Sequence, residues 1–300
     1  MAVAGQIEAD LERRFGGLRR LHGDTAYQRL RTARFAVVGL GGVGSWAVEA
    51  LARSGAAELT LIDLDQVSES NINRQIQALG STVGMAKAEA LRQRIADIHP
   101  GCAVRVIEDF VEPENWPALI DGAEFDGLID CCDQVRAKAT LAAWARERQL
   151  PFVTVGAAGG KREPHRVQLD DLSATTHDPL LASLRQRLRK HHAAPRTGAM
   201  GVACVYSREP VHLPQQGEGE ACDVDGSLNC HGYGSSVAVT ATFGLCAAAE
   251  LQRLHLAREL ASAQRTPETQ KILRSLQKPA YNGRLCLTRD VSSVGRAADF

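Results

Sequence analysis

Apolar positions along the first half of the chain come in short blocks that alternate between two rhythms. Residues 35–38 form a continuous apolar run that stops at Gly39 and predicts a buried strand. From 43 to 54 the apolar positions Val43, Ala47, Ala50 and Leu51 fall at helical spacing, and Gly55 suits the helix exit. A second strand is expected over 59–62, ending at Asp63. A helix over 85–98 follows, with Met85, Ala88, Leu91, Ile95 and Ile98 on one stripe and Pro100 closing it. Runs at 104–107, 127–129 and 152–155 predict further strands, with a helix over about 135–148 between the last two.

Short strands alternating with helices imply right-handed βαβ units. The expected fold is therefore α/β: a Rossmann-like, mostly parallel sheet flanked by helices, with a smaller C-terminal extension. Such sheets bind ligands beyond the carboxyl ends of their strands. Residues 8–31 read as one or two short basic helices broken by Gly16, Gly17 and Gly23. After about residue 160 the pattern weakens, and no further strand stands out. Residues 214–232 are rich in Gly, Gln, Asp and Glu and read as a long mobile loop. Residues 237–249 are uncharged but too few for a bilayer, which needs roughly 20 apolar residues, so a buried core helix is expected. The expected organisation is a basic helical segment (1–31), a nucleotide-binding domain (32–160), a substrate-facing region (161–262) and a disordered tail (263–300).

Composition narrows the class only a little. Apolar residues are 44% and charged residues 23%, ordinary for a soluble globular chain. Formal net charge is zero, so any nucleic-acid contact must come from a local patch. The best candidate patch is the acid-free stretch 185–196, with Arg185, Arg187, Arg189, Lys190, His191, His192 and Arg196. An ordinary solvated helix face explains it nearly as well. The eight cysteines include no C-x-x-C pair, so no zinc site is expected. The N-terminus has no apolar run of the secretory kind, so a reducing cytoplasm and no stable membrane insertion are the expectation.

The chemistry concentrates at the strand ends. Gly39-Leu-Gly41-Gly42-Val-Gly44 lies between a strand and a helix, where glycines let backbone N–H groups approach a phosphate. Asp63 is placed to accept ribose hydroxyls. NAD and FAD enzymes share both features. The block after the second strand adds Arg74 and Gln75, then Lys87 on the next helix, then Asp133 after the fourth strand. Arg holds two phosphate oxygens in a fork, Lys neutralises a third, and a carboxylate can hold Mg²⁺. Together they suit a triphosphate better than a dinucleotide. A surface charge is the simpler reading of each residue taken alone.

GLGGVGS at 39–45, LIDLD at 61–65, NINRQ at 71–75, GMAKAEA at 84–90 and DCCDQ at 130–134 resemble the ubiquitin-activating superfamily of adenylating enzymes. The resemblance implies that Asp63 binds the ribose and that Arg74, Gln75 and Lys87 grip the phosphates, with Asp65 and Asn73 also among the nucleotide-binding residues. It also implies Asp133 at the metal and Gln134 beside the nucleotide. RRFGGLRRLHG at 13–23, NINRQIQAL at 71–79, VGAAGG at 155–160, DPLLASLRQRLRK at 178–190 and VTATFG at 239–244 are similar to the tRNA threonylcarbamoyladenosine dehydratases within it. That family implies ATP-dependent adenylation of the threonyl carboxylate in tRNA, then cyclisation with loss of water. It implies a homodimer, with Arg14 or Arg19 as the arginine that crosses to the partner's ATP. Cys230 occupies the place of a family cysteine linked to a cysteine desulfurase sulfur-transfer system, as a relay or catalytic thiol or as an ordinary loop cysteine. The alternative is an activator of the Gly-Gly tail of a sulfur-carrier protein. An NAD-binding or non-enzymatic Rossmann module would leave Arg74, Lys87 and Asp133 without purpose.

Overall fold

The computed structural model describes residues 10–213 and 233–263. By internal contacts the chain divides into two units, Met1–Glu259 and Leu260–Phe300, and the architecture below is that of the first. Helices α1 (Leu11–His22) and α2 (Asp24–Thr32) precede the sheet. The chain then runs β1 (Arg34–Val38), α3 (Gly44–Arg53), β2 (Glu58–Ile62), α4 (Lys87–Ile98), β3 (Ala103–Ile107) and β4 (Gly127–Asp130). It continues through α5 (Val135–Glu147), β5 (Phe152–Val155), β6 (Val167–Asp171), α6 (Pro179–His191), β7 (Ala203–Ser207) and α7 (Val237–Ala263).

The strands form one sheet in the order β3-β2-β1-β4-β5-β7-β6. All neighbours are parallel except β6, which pairs antiparallel with β7. The winding runs one way from β1 through β2 to β3 and the other way from β4 outward. The crevice beyond the carboxyl ends of β1 and β4 is therefore the switch point where such folds take ligands. Alternation along β1 feeds two cores, as the strand's period of two requires. Phe35 and Val37 pack with Leu51, Leu91, Phe243 and Leu251 on one face. Ala36 and Val38 pack with Leu141, Leu184, Leu188 and Tyr206 on the other. The apolar stretch that begins α7 is a core helix, with Val239, Phe243, Ala247, Ala248 and Leu251 buried.

Two expectations are corrected. Gly16 and Gly17 do not break the first helix; α1 runs through them and ends only at Gly23, whose φ is +81°. Burial of Phe15, whose ring lies 4.9 Å from that of His99, outweighs a helix penalty of about 1 kcal/mol per glycine. The sheet also continues past residue 160. Its outer strand β6 reads VQLDD with no fully buried position, so it lacks the apolar run that marks a central strand. β7 is buried, falls in the apolar run at 202–206, and pairs parallel with β5.

Candidate active site

The pocket at the switch point is lined by Gly39, Gly41 and Gly42 of the first βα turn, Asp63 and Asp65 after β2, and Arg74, Gln75 and Lys87. Cys131, Cys132, Asp133 and Gln134 after β4 close another side. The topology thus brings together the end of β1, the end of β2 and the end of β4.

The glycines are fixed by contact. Gly39 has φ +83°, and a Cβ there would lie 2.9 Å from the Cys131 carbonyl and the Cys132 nitrogen. A Cβ on Gly44 would collide with the Gly39 carbonyl oxygen, so this glycine shapes the turn from below and does not line the pocket. The first turn of α3 has no side-chain cap; Ser45 N–H donates to Gly41 O at 3.1 Å, and the positive end of the helix faces the glycine turn. A phosphate suits that cradle.

Asp63 is buried and holds the turn: Oδ2 accepts from Leu40 N–H at 2.6 Å and Oδ1 from Asp65 N–H at 2.8 Å. Burial pushes its carboxyl above the usual range, against the pull of Lys87 and those two N–H groups. Each oxygen keeps a second lone pair for a ribose hydroxyl. Lys87, the first residue of α4, is buried and donates to Asp65 Oδ2 at 2.6 Å. Arg74 is 8% exposed; its Nη1 donates to Ser70 O at 2.7 Å and Asn73 Oδ1 at 2.9 Å, and its own carbonyl accepts from the Trp46 indole. Asn73 stands outside the pocket lining, bridging Arg74 to the Ser235 carbonyl. Gln75 is buried and accepts from Gln77, which also donates to Leu40 O. Asp133 and Gln134 are exposed at the mouth. No group of three or more metal-ligating side chains occurs among the described residues; Asp133 is the exposed carboxylate of the pocket mouth that could hold a Mg²⁺.

Several contributors are not apparent from the sequence. Cys131 and Cys132 line the pocket, and burial raises both thiols well above their ordinary range, so they stay protonated. Thr240 of α7 and Leu180 of α6 form walls, as do Phe110 and Val111 after β3. Asp178 caps α6 through Leu181 N–H and also accepts from Ala157 N–H, tying α6 to the loop beside the pocket. Behind β4, Asp130 is paired with Lys138, both fully buried.

The remaining candidates lie elsewhere. Arg185 Nη1 turns inward to Leu172 O, Thr175 O and Thr175 Oγ1, and Arg189 donates to Pro195 O. Arg187 is half-buried and Lys190 exposed along the same helix. Arg14 donates to the Asp97 and Ile98 carbonyls, and Arg19 pairs with Glu12 and Asp24. Cys230 lies outside the described residues.

A glycine turn, a buried carboxylate and two buried cations line one pocket, and the ThiF family model matches residues 13–284. The chain belongs to the ThiF family. Within it, the chain is 42% identical over 250 residues to the tRNA threonylcarbamoyladenosine dehydratase of Haemophilus influenzae, covering 82% of this chain and 94% of that protein. It is 44% identical over 243 residues to the dehydratase of Escherichia coli, covering 78% and 90%. The solved structure of the E. coli dehydratase in complex with ATP superposes with a TM-score of 0.75 at 41% identity, covering 86% of this chain and 99% of that one. The E. coli molybdopterin-synthase adenylyltransferase is 37% identical over 131 residues, which is only 44% of this ThiF-family chain.

Proposed function

We propose that this ThiF-family chain is an ATP-dependent tRNA threonylcarbamoyladenosine dehydratase. The observation that carries the reading is the pocket itself: Arg74 and Lys87, both buried, converge on a glycine cradle that a Cβ would fill. The likeness to dehydratases along nearly the whole of their length supports the substrate, whereas the carrier-protein activators match at lower identity over shorter stretches, 37% over 131 residues for that of E. coli and 31% over 193 residues for that of Haemophilus influenzae.

In this reading Asp63 accepts the ribose hydroxyls of ATP, and the N–H groups of the glycine turn face its phosphates. Arg74 and Lys87 neutralise the charge that grows when the threonyl carboxylate attacks the α-phosphorus and pyrophosphate leaves. Asp133 is the residue that would hold a Mg²⁺, which would add positive charge to that neutralisation. The ureido nitrogen or oxygen of the same nucleoside then attacks the activated carbonyl, loses its proton and expels AMP. The ring closes with net loss of water, the oxygen leaving on AMP. Because the attack is intramolecular, effective concentration replaces a protein nucleophile. Arg187, Arg189 and Lys190 are the candidate contacts to the tRNA backbone. A twofold dimer, a reducing cytoplasm and a link from Cys230 to a sulfur-transfer system belong to the same proposal. No helix among the described residues is long and apolar enough to cross a membrane.

The test incubates the protein with ATP, Mg²⁺ and tRNA carrying threonylcarbamoyladenosine, then weighs the nucleosides. A product lighter by one water is expected. An unchanged nucleoside, together with adenylation of a Gly-Gly carrier tail, would favour the carrier-activating alternative.

A further inference from the structure

The span 131–134 carries Asp133 and Gln134 to the pocket mouth, yet neither side chain is buried enough to fix its own place. What fixes the span lies behind it. Asp130, at the end of β4, is fully buried, and its two carboxylate oxygens face different elements. Oδ2 accepts from Lys138 Nζ on α5 at 3.0 Å and from Thr154 Oγ1 on β5 at 2.6 Å. Oδ1 accepts from Cys132 N–H at 3.1 Å and from the Cys132 thiol at 2.7 Å. Cys131 N–H donates to Val38 O at 2.8 Å, so the span also rests on the end of β1 beside Gly39. Lys138 lies one turn into α5, its backbone N–H bonded to Gln134 O at 3.0 Å. One carboxylate therefore ties the last residue of β4, the first turn of α5 and the neighbouring strand to the four residues that close the pocket.

A buried ion pair of this kind is not needed for stability, since a well-packed apolar pair of similar volume does as well. Its directional bonds give something an apolar pair cannot: a single position for the backbone of 131–134. Burial on its own would lower the Lys138 ammonium; the neighbouring Asp130 carboxylate and the other groups around it more than reverse this, so Lys138 stays charged.

We propose that Asp130, Lys138 and Thr154 are positioning residues for adenylation, holding the Cys131–Gln134 span so that Asp133 meets the metal-bearing polyphosphate of ATP. The inference rests on the adenylating reading of the pocket. It assigns to buried residues outside the pocket lining a control over polyphosphate binding that is separate from the grip on AMP, which Asp63 and the glycine turn supply.

The test is calorimetric binding of ATP with Mg²⁺, and of AMP, to the full chain and to the variants Asp130→Asn/Lys138→Met, Thr154→Val and Thr154→Ser. Thermal midpoints are recorded for each. The double variant removes both charges at nearly constant volume, and its midpoint is expected within about 5 °C of the parent. The double variant and Thr154→Val are expected to weaken ATP binding by roughly tenfold or more, as a displacement of about 1 Å can do, and AMP binding by less than about threefold. Thr154→Ser, which keeps the hydroxyl, restores ATP binding. ATP affinity within about twofold of the parent in folded variants, or equal losses for both nucleotides, overturns the assignment. If the double variant does not fold, Thr154→Val against Thr154→Ser decides by the same criteria. Failure of the parent chain to convert modified tRNA strikes the dehydratase reading and leaves the binding result standing.

Discussion

At the scale of single residues, the site separates cations that act from cations that hold. Lys87 and Arg74 are buried at the pocket, where charge acts in a low dielectric and counts for more than at the surface. Lys87→Ala and Arg74→Ala are each expected to lower kcat/KM by about 100-fold or more. Arg74→Lys is expected to fall between, because it keeps the charge and loses the fork. Near-parental turnover in both alanine variants, in the assay with modified tRNA, would remove the ATP assignment. These two residues and Asp63 were legible from sequence because each follows a recognisable strand or opens a helix. Asp130 and Lys138 were not. A lysine on an amphipathic helix reads as its solvent face, and only the packing of α5 on β4 and β5 reveals that Lys138 points inward. Arg185 misleads in the same way, since its inward bonds to Leu172 and Thr175 depend on how a loop folds over α6.

At the scale of elements, the first βα turn is the piece with least tolerance. Ala at position 39 would have to adopt φ +83° and press its Cβ against main-chain atoms of 131–132, which cannot turn aside as a side chain could. Gly122 offers the comparison: its φ is +72°, but nothing lies within 4 Å of a Cβ there. Gly122→Ala is expected to cost about 1 kcal/mol, the conformational penalty alone. Gly39→Ala is expected to cost about 3 kcal/mol and to abolish measurable ATP binding, because strain and overpacking add. Urea denaturation of both variants checks the difference, and equal costs would mean that the turn does not press on the Cys131 backbone. The inner parallel strands β1, β2, β4 and β5 were legible for a related reason: buried on both faces, they are near-continuous apolar runs. β6 escaped notice because it is an edge strand with polar positions, and its antiparallel partner lies 32 residues further along the chain.

At the scale of the whole molecule, one titratable group sits where the N-terminal helices meet the end of α4. His99, at the end of α4, is buried beneath the Phe15 ring of α1, and Arg31 of α2 lies 2.9 Å from its Nε2. Arg14 caps the same helix end through the Asp97 and Ile98 carbonyls. Burial, with the positive charges of Arg31 and Arg14, pushes the His99 imidazole down to about 4. In the unfolded chain the same ring titrates near 6.5. Between those values the unfolded state holds a proton that the folded state refuses, so stability falls as pH drops from about 6.5 to about 4. The expected loss is about 2 kcal/mol, seen as a lower urea midpoint at pH 5 than at pH 7. His99→Gln keeps an acceptor for Arg31 but cannot take up the proton, so its midpoint should change less over the same interval. If parent and variant lose stability equally, the slope belongs to carboxylates elsewhere, and His99 is not the group through which acid loosens α1 and α2.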